Sequence, residues 1–167
     1  MQHAQRAAAA WFDDVSVEPL SGGLINETWL LKSGGAKRGV LQCLNTSIFV
    51  PEVHFDIETV TEHLATKGLP TPRLARTTCG DLWHVDERQQ VWRVLTYLGD
   101  RTIGRLANPT DAREAGALVG RFHAALDDLE MTFQSVRPGA HDTPKHMRTL
   151  QNALAQHASH RLVKSVQ

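Results

Sequence analysis

The residues with the most chemical potential lie early in the chain and close together. Ser21-Gly22-Gly23 stands between two apolar runs, and Asn26 and Thr28 follow directly. With no Cβ at two successive positions, a backbone can approach a polyphosphate closely and turn several N–H groups toward its oxygens. A hairpin also uses glycine for its turn, so the pair alone leaves a phosphate cradle and a plain turn both open. Gln42 sits in a later apolar run, with Glu58 sixteen residues beyond it. A glutamine amide can donate to a phosphate but brings no charge. Taken singly, Gln42 is a strand residue and Glu58 a solvated helix charge. His141 and Asp142 precede Thr143-Pro144. A carboxylate there can bind a hydroxyl or an amine, yet the same run is a helix cap with proline in the first turn, which is the favoured expectation. His157 and His160 are three apart on an expected helix, but no cysteine or carboxylate cluster completes a four-ligand set, so no metal site is expected. Neither Gly-x-Ser-x-Gly nor a Walker A sequence occurs, which removes support for hydrolase and P-loop chemistry.

These residues need a scaffold, and the chain changes character near residue 99. Before it, short runs at 15–20, 25–32, 40–44, 81–86 and 91–97 are rich in β-branched and aromatic residues and are broken by Gly, Asp and Arg-Gln. They predict a mostly antiparallel sheet of about five strands. One helix interrupts it, because Val53, Ile57, Val60 and Leu64 form a single apolar stripe between Pro51 and Gly68. Gly68, Pro70 and Pro72 force an extended exit. After residue 99 the period is helical. Asn108-Pro109 offers an N-cap with proline at the first position, and Ala115, Leu118, Val119, Phe122, Leu126 and Leu129 form a stripe wide enough to pack on a larger helical body. A second helix is expected from Asp142, and residues 157–167 are expected to remain helical. The fold class is α+β.

Composition sets only broad limits. Eighteen basic residues balance eighteen acidic ones, so no global field steers the chain to nucleic acid or an anionic membrane, and neither is expected as a partner. Cys43 and Cys79 form no C-x-x-C, and a chain of this size needs no disulfide, so a reducing cytoplasm is the expected setting. The alanines at 7–10 are too few for a signal-peptide core, and no stretch approaches membrane-spanning length.

In order, the glycine turn, the strand Gly39-Val40-Leu41-Gln42-Cys43-Leu44-Asn45, the Glu58 helix, Leu69-Pro70-Thr71-Pro72 and the strand from Trp92 to Leu98 resemble the amino-terminal lobe of the aminoglycoside phosphotransferase and choline kinase superfamily. Asn26 and Thr28 match the Gly-x-Ile-Asn-x-Thr pattern of its N-acetylhexosamine kinase-like branch. His141-Asp142-Thr143-Pro144-Lys145 also recurs there. The resemblance implies a protein-kinase-like fold, with a nucleotide-binding lobe at residues 1–98 and a hinge, linker and partial helical lobe at 99–167. It implies ATP and magnesium as cofactors, with Ser21, Gly22, Gly23, Asn26, Thr28, Gln42 and Glu58 around the phosphates. Leu95, Thr96, Tyr97 and Leu98 would meet the adenine, and His141 and Asp142 would lie near a small-molecule acceptor.

The family places a strand cation at position 42, paired with the helix acid Glu58; here it is glutamine. In the branch the strand resembles Leu-Gln-Arg-Ile-Asn, so Cys43 stands where an arginine is expected. His54-Phe55-Asp56 and His84-Val85-Asp86 echo the family's His-x-Asp, but Thr61 and Val91 occupy the places of its Asn, and both lie ahead of the hinge. No catalytic residue is therefore assigned. The catalytic Asp, the metal ligands and the rest of the helical lobe are expected beyond Gln167, and the chain alone is expected to be inactive. The expected activity of the intact protein is ATP-dependent phosphorylation of a hydroxyl on a sugar, amino sugar or amino alcohol. The alternative is a non-catalytic kinase-like module that binds a nucleotide or a partner.

Overall fold

The computed structural model describes residues 2–99 and 103–165. Helix α1 (Gln2–Ala8) leads into β1 (Ser16–Pro19), β2 (Glu27–Ser33) and β3 (Ala36–Cys43). Helix α2 (Val53–Thr66) follows, then β4 (Leu74–Ala75), β5 (His84–Val85) and β6 (Val91–Leu95), and finally α3 (Pro109–Leu126), α4 (Thr143–Gln156) and a short 3-10 turn at Val163–Ser165. The strands form one antiparallel sheet in the order β1-β2-β3-β6-β4, with β5 also paired to β6. This is the expected α+β class, with an antiparallel sheet interrupted by one helix.

Period-two alternation gives the sheet two unlike faces. Val17, Trp29, Leu31, Leu41, Cys43, Trp92 and Val94 share one face, where they join Trp11 and the alanines of α1 in a closed core. Ala4, Ala7 and Ala8 are almost fully buried. Small side chains at i, i+3 and i+4 let α1 lie directly on the sheet. This helix was not expected from the sequence, because its buried stripe is alanine and lacks the large apolar residues that mark an amphipathic helix. Gly39 is needed where β3 meets β6, since a Cβ there would sit 2.7 Å from Val94 Cγ1. The opposite face carries Thr28, Leu30, Val40, Gln42, Arg93 and Leu95, of which Leu30 alone is buried and the others are half-buried.

Local signals set the helix ends. Gly68 (φ +70°) follows α2, and Leu69 N–H donates to Leu64 O at 3.0 Å, the glycine-terminated helix stop anticipated there. Asn108 Oδ1 accepts Asp111 N–H at 2.9 Å at the start of α3, with Pro109 in the first turn. The deepest residues of α2 share only Leu64 with the expected stripe. His54, Asp56, Thr61 and Leu64 are buried, while Val53, Ile57 and Val60 are half-buried. Burying a polar group without a partner is costly, and Asp56 has two: its carboxylate accepts Gln134 and Ser135 N–H, each at 2.8 Å.

Three further expectations are corrected. The run at 81–86 pairs only through His84–Val85, because Thr77 and Asp81 close a turn before it (Thr77 N–H to Asp81 O, 2.8 Å). Strand β6 stops at Leu95, and the unexpected β4 pairs beside it. The carboxyl end leaves the helix at Gln156, and among the described residues after it the regular structure is a 3-10 turn; residues 166–167 of the expected helix lie outside the described residues. Two compact units result, Met1–Ser135 and Val136–Gln167. In the first, α3 buries none of its residues, and Leu118, Val119 and Phe122 are exposed. In the second, α4 is capped at its start by Asp142.

Candidate functional site

The glycine turn closes between β1 and β2, where Leu20 N–H donates to Thr28 O at 2.9 Å. Its two glycines are needed for different reasons. Gly22 adopts φ +101°, and the space where its Cβ would point is open. Gly23 lies against its own chain, so a Cβ would meet Asn26 O at 2.8 Å and Thr28 Oγ1 at 3.2 Å. Asn26 latches the turn to the end of β3, since its Oδ1 accepts Asn45 N–H at 3.0 Å. Ser21 is exposed at the head of the turn. The open backbone at Gly22 is of the kind a phosphate group can approach.

From the turn, a polar row crosses the half-open face. Thr28, Gln42 and Arg93 stand opposite one another on β2, β3 and β6. Thr28 donates to Asn26 O at 3.2 Å, Gln42 Nε2 donates to Thr28 Oγ1 at 3.4 Å, and Arg93 Nε donates to Gln42 Oε1 at 3.0 Å. Beside this row Leu30, Val40 and Leu95 form an apolar one. Arg93 was not singled out from the sequence; its neighbour Gln42 is 51 residues away, and only the β3–β6 pairing brings them together. Cys43 faces the other way, into the closed core. Burial, helped by the charges of Glu27 and Asp86, pushes its thiol up to about 11, so it stays protonated.

Glu58 is not joined to this row. Its carboxylate binds Arg76, beside a cavity of about 410 Å³ lined by Phe55, Glu58, Arg76 and Trp83 among others. His54, one turn earlier, is fully buried and stacked on Trp83 with ring centroids 5.2 Å apart. Its Nδ1 lies 2.6 Å from Pro51 O, and its Nε2 is buried without a partner. Burial first, and the positive charge of Arg93 with it, depress His54 to about 4 against the opposing pull of the Pro51 carbonyl, so the ring is neutral near pH 7. Neither His-x-Asp echo is a catalytic pair in form. Asp56 holds the backbone after α3, while Asp86 clasps its own turn, accepting Arg88 N–H at 2.8 Å, Gln90 N–H at 2.9 Å and Trp92 Nε1–H at 3.0 Å.

At the exit of β6, Thr96 N–H donates to Arg73 O at 2.8 Å and Thr96 Oγ1 accepts Arg73 N–H at 2.9 Å. Tyr97 Oη bonds Lys37 Nζ at 3.1 Å, and that ammonium also lies over the ring. Leu98 is exposed. In the second unit His141 is exposed, and Asp142 caps α4 by accepting Lys145 N–H at 2.9 Å. Among the described residues no group of three His, Cys, Asp or Glu could hold a metal ion, and no helix is long and apolar enough to cross a membrane.

Comparison with known proteins bears on the fold and the family. No curated protein matches the chain. Among solved structures, an amicoumacin kinase, hAmiN, in complex with AMP-PNP, Ca2+ and Ami superposes with a TM-score of 0.64 at 14% identity. The match covers 93% of this chain and 50% of that one, so the chain spans about half the length of that kinase. At such identity the likeness establishes a shared kinase-like fold. The family profile described as APH, phosphotransferase enzyme family, matches residues 16–166. With a match over nearly its whole length and this sheet beneath it, the chain belongs to the APH phosphotransferase enzyme family.

Proposed function

We propose that residues 1–98 are the nucleotide lobe of an ATP-dependent small-molecule kinase, and that residues 99–167 supply its hinge, linker and the first part of a helical lobe. The observation that carries this is the continuity of the glycine turn with Thr28 and Gln42 on one half-open sheet face. The triphosphate would lie along that row, touching Ser21, the open backbone at Gly22 and the Thr28 hydroxyl. The adenine would rest on Leu30, Val40 and Leu95. Thr96 N–H is already committed to Arg73 O, so the ring edge would be met by the backbone from Tyr97 to Leu98. Glu58 would act at a distance, fixing α2 through Arg76.

Phosphoryl transfer needs positioning and charge neutralisation more than covalent chemistry. In this lobe the fixed N–H groups and the row would do the positioning. Bound magnesium would neutralise phosphate charge; its protein ligands and the catalytic Asp are proposed to lie beyond Gln167. The acceptor would be a hydroxyl of a sugar, amino sugar or amino alcohol, with His141 near it and Asp142 acting as a helix cap.

Calorimetric titration of the chain with ATP and magnesium tests this. Saturable 1:1 binding that competes with ADP is expected; a folded chain that binds no adenine nucleotide would refute the proposal. The uncharged Gln42 favours a second reading, a non-catalytic nucleotide-binding module. Reading the coding sequence past residue 167 separates the two: a His-x-Asp with Asn five residues on supports the enzyme, and a stop codon supports the module.

A further inference from the structure

The half-open face holds a cation without a counter-charge. Among the described residues no carboxylate comes within ion-pairing distance of Arg93, and its one hydrogen bond, from Nε, goes to the neutral Gln42. The guanidinium has five N–H donors in a fixed fork, so its four terminal N–H groups remain available. The side chain is half-buried, and that burial lowers its pKa. A partly desolvated charge with no counter-charge is unfavourable. The nearby His54 offers no compensation, since its ring is neutral and Nδ1 is turned to Pro51 O. By contrast Arg73, Arg76, Lys32 and Lys67 each have a carboxylate partner. Arg93 thus stands as a partly buried cation without a carboxylate partner on the face that carries the glycine turn.

Resting on the nucleotide-lobe proposal, we infer that Arg93 is the phosphate-binding cation of this protein, delivered from β6 to the site beside Gln42. Position 42 supplies no charge, and position 43 points into the closed core. Arg93 stands two strands from Thr28, about 10 Å away, and the Gln42 amide links them. With its Oε1 held by Arg93, Gln42 presents Nε2 toward Thr28 and the glycine turn, so a single amide orients both the cation and the hydroxyl. The planar fork can grip two phosphate oxygens at once, where a strand lysine would offer a point charge.

Two variants of the full chain, titrated with ATP and with adenosine, test the assignment. Arg93→Gln should weaken ATP at least tenfold and leave adenosine unchanged. Gln42→Glu places a carboxylate on the Arg93 guanidinium. It should keep or raise the melting temperature while weakening ATP by a similar factor, and it carries the test if Arg93→Gln does not fold. A purely structural link would be satisfied by Gln42→Glu with ATP affinity intact, and that result overturns the assignment. So does a folded Arg93→Gln that binds ATP as tightly as the parent, or that loses ATP and adenosine equally. A parent chain that binds neither ligand overturns the nucleotide-lobe proposal, and this inference with it.

Discussion

The two faces of the sheet are built from the same strands and obey opposite rules. One face is tryptophan, leucine, valine and cysteine, sealed by an alanine-striped helix; the other is threonine, glutamine and arginine beside a short aliphatic row. Trp92 and Arg93 are adjacent in sequence, yet one is fully buried in the core and the other faces the half-open side. The closed face supplies rigidity, so the open face can carry a polar row that contributes little to stability itself. Alternation makes this division cheap, because one β-strand can serve both ends.

The comparison breaks most visibly at Trp92. Trp92→Ala removes a fully buried ring and its bond to Asp86, and should cost about 3–5 kcal/mol in urea unfolding. A loss below about 1 kcal/mol would show that the closed face is not the stabilising one. Acid is the next largest effect. His54 binds its proton at about 4 when folded and near 6.5 when unfolded, so its contribution is intact above pH 6.5 and is lost progressively as pH falls toward 4. The cost is up to about 1.4 kcal/mol per pH unit. Melting temperatures at pH 7 and 5 should therefore differ more for the parent than for His54→Gln; an equal drop in both would exclude His54 as the cause.

Gly39→Ala sharpens the contrast within one strand. Its methyl would press on Val94 and on the Leu95 carbonyl, 3.0 Å away, for a loss of about 1–3 kcal/mol. Gly34→Ala, in the β2–β3 turn, meets no atom within 4 Å and should lose stability only through its positive φ. The smallest stability change belongs to the open face. Thr28→Val keeps shape but drops the hydroxyl that links Asn26 and Gln42, so folding should change by about 0.5–1.5 kcal/mol. ATP affinity, read by calorimetry, should fall several-fold. A large loss of stability without loss of affinity would reverse the roles of the two faces.

Much of the scaffold is legible in the sequence, because its signals are local. Gly68 stops α2, Asn108 and Pro109 start α3, and Asp142 caps α4, each through hydrogen bonds spanning a few residues. The glycine turn and the strands around it are legible for the same reason. Helix α1 was illegible because alanine carries almost no amphipathic signal until a sheet is present to pack against. His54 and Asp56 were illegible as buried groups, because their partners, Trp83 and the backbone at 134 and 135, are distant in sequence.

The sequence by itself determined where α2 stops and α3 starts, and it set the glycine turn, Thr28 and Gln42 in consecutive strands of the first unit. Tertiary structure decided the partners. Glu58 went to Arg76, Cys43 went to the closed core, and Arg93 came to stand beside Gln42. Periodicity states which face of a strand a residue occupies, but its neighbour across the sheet depends on the register of another strand. That register is set by the packing of the whole core.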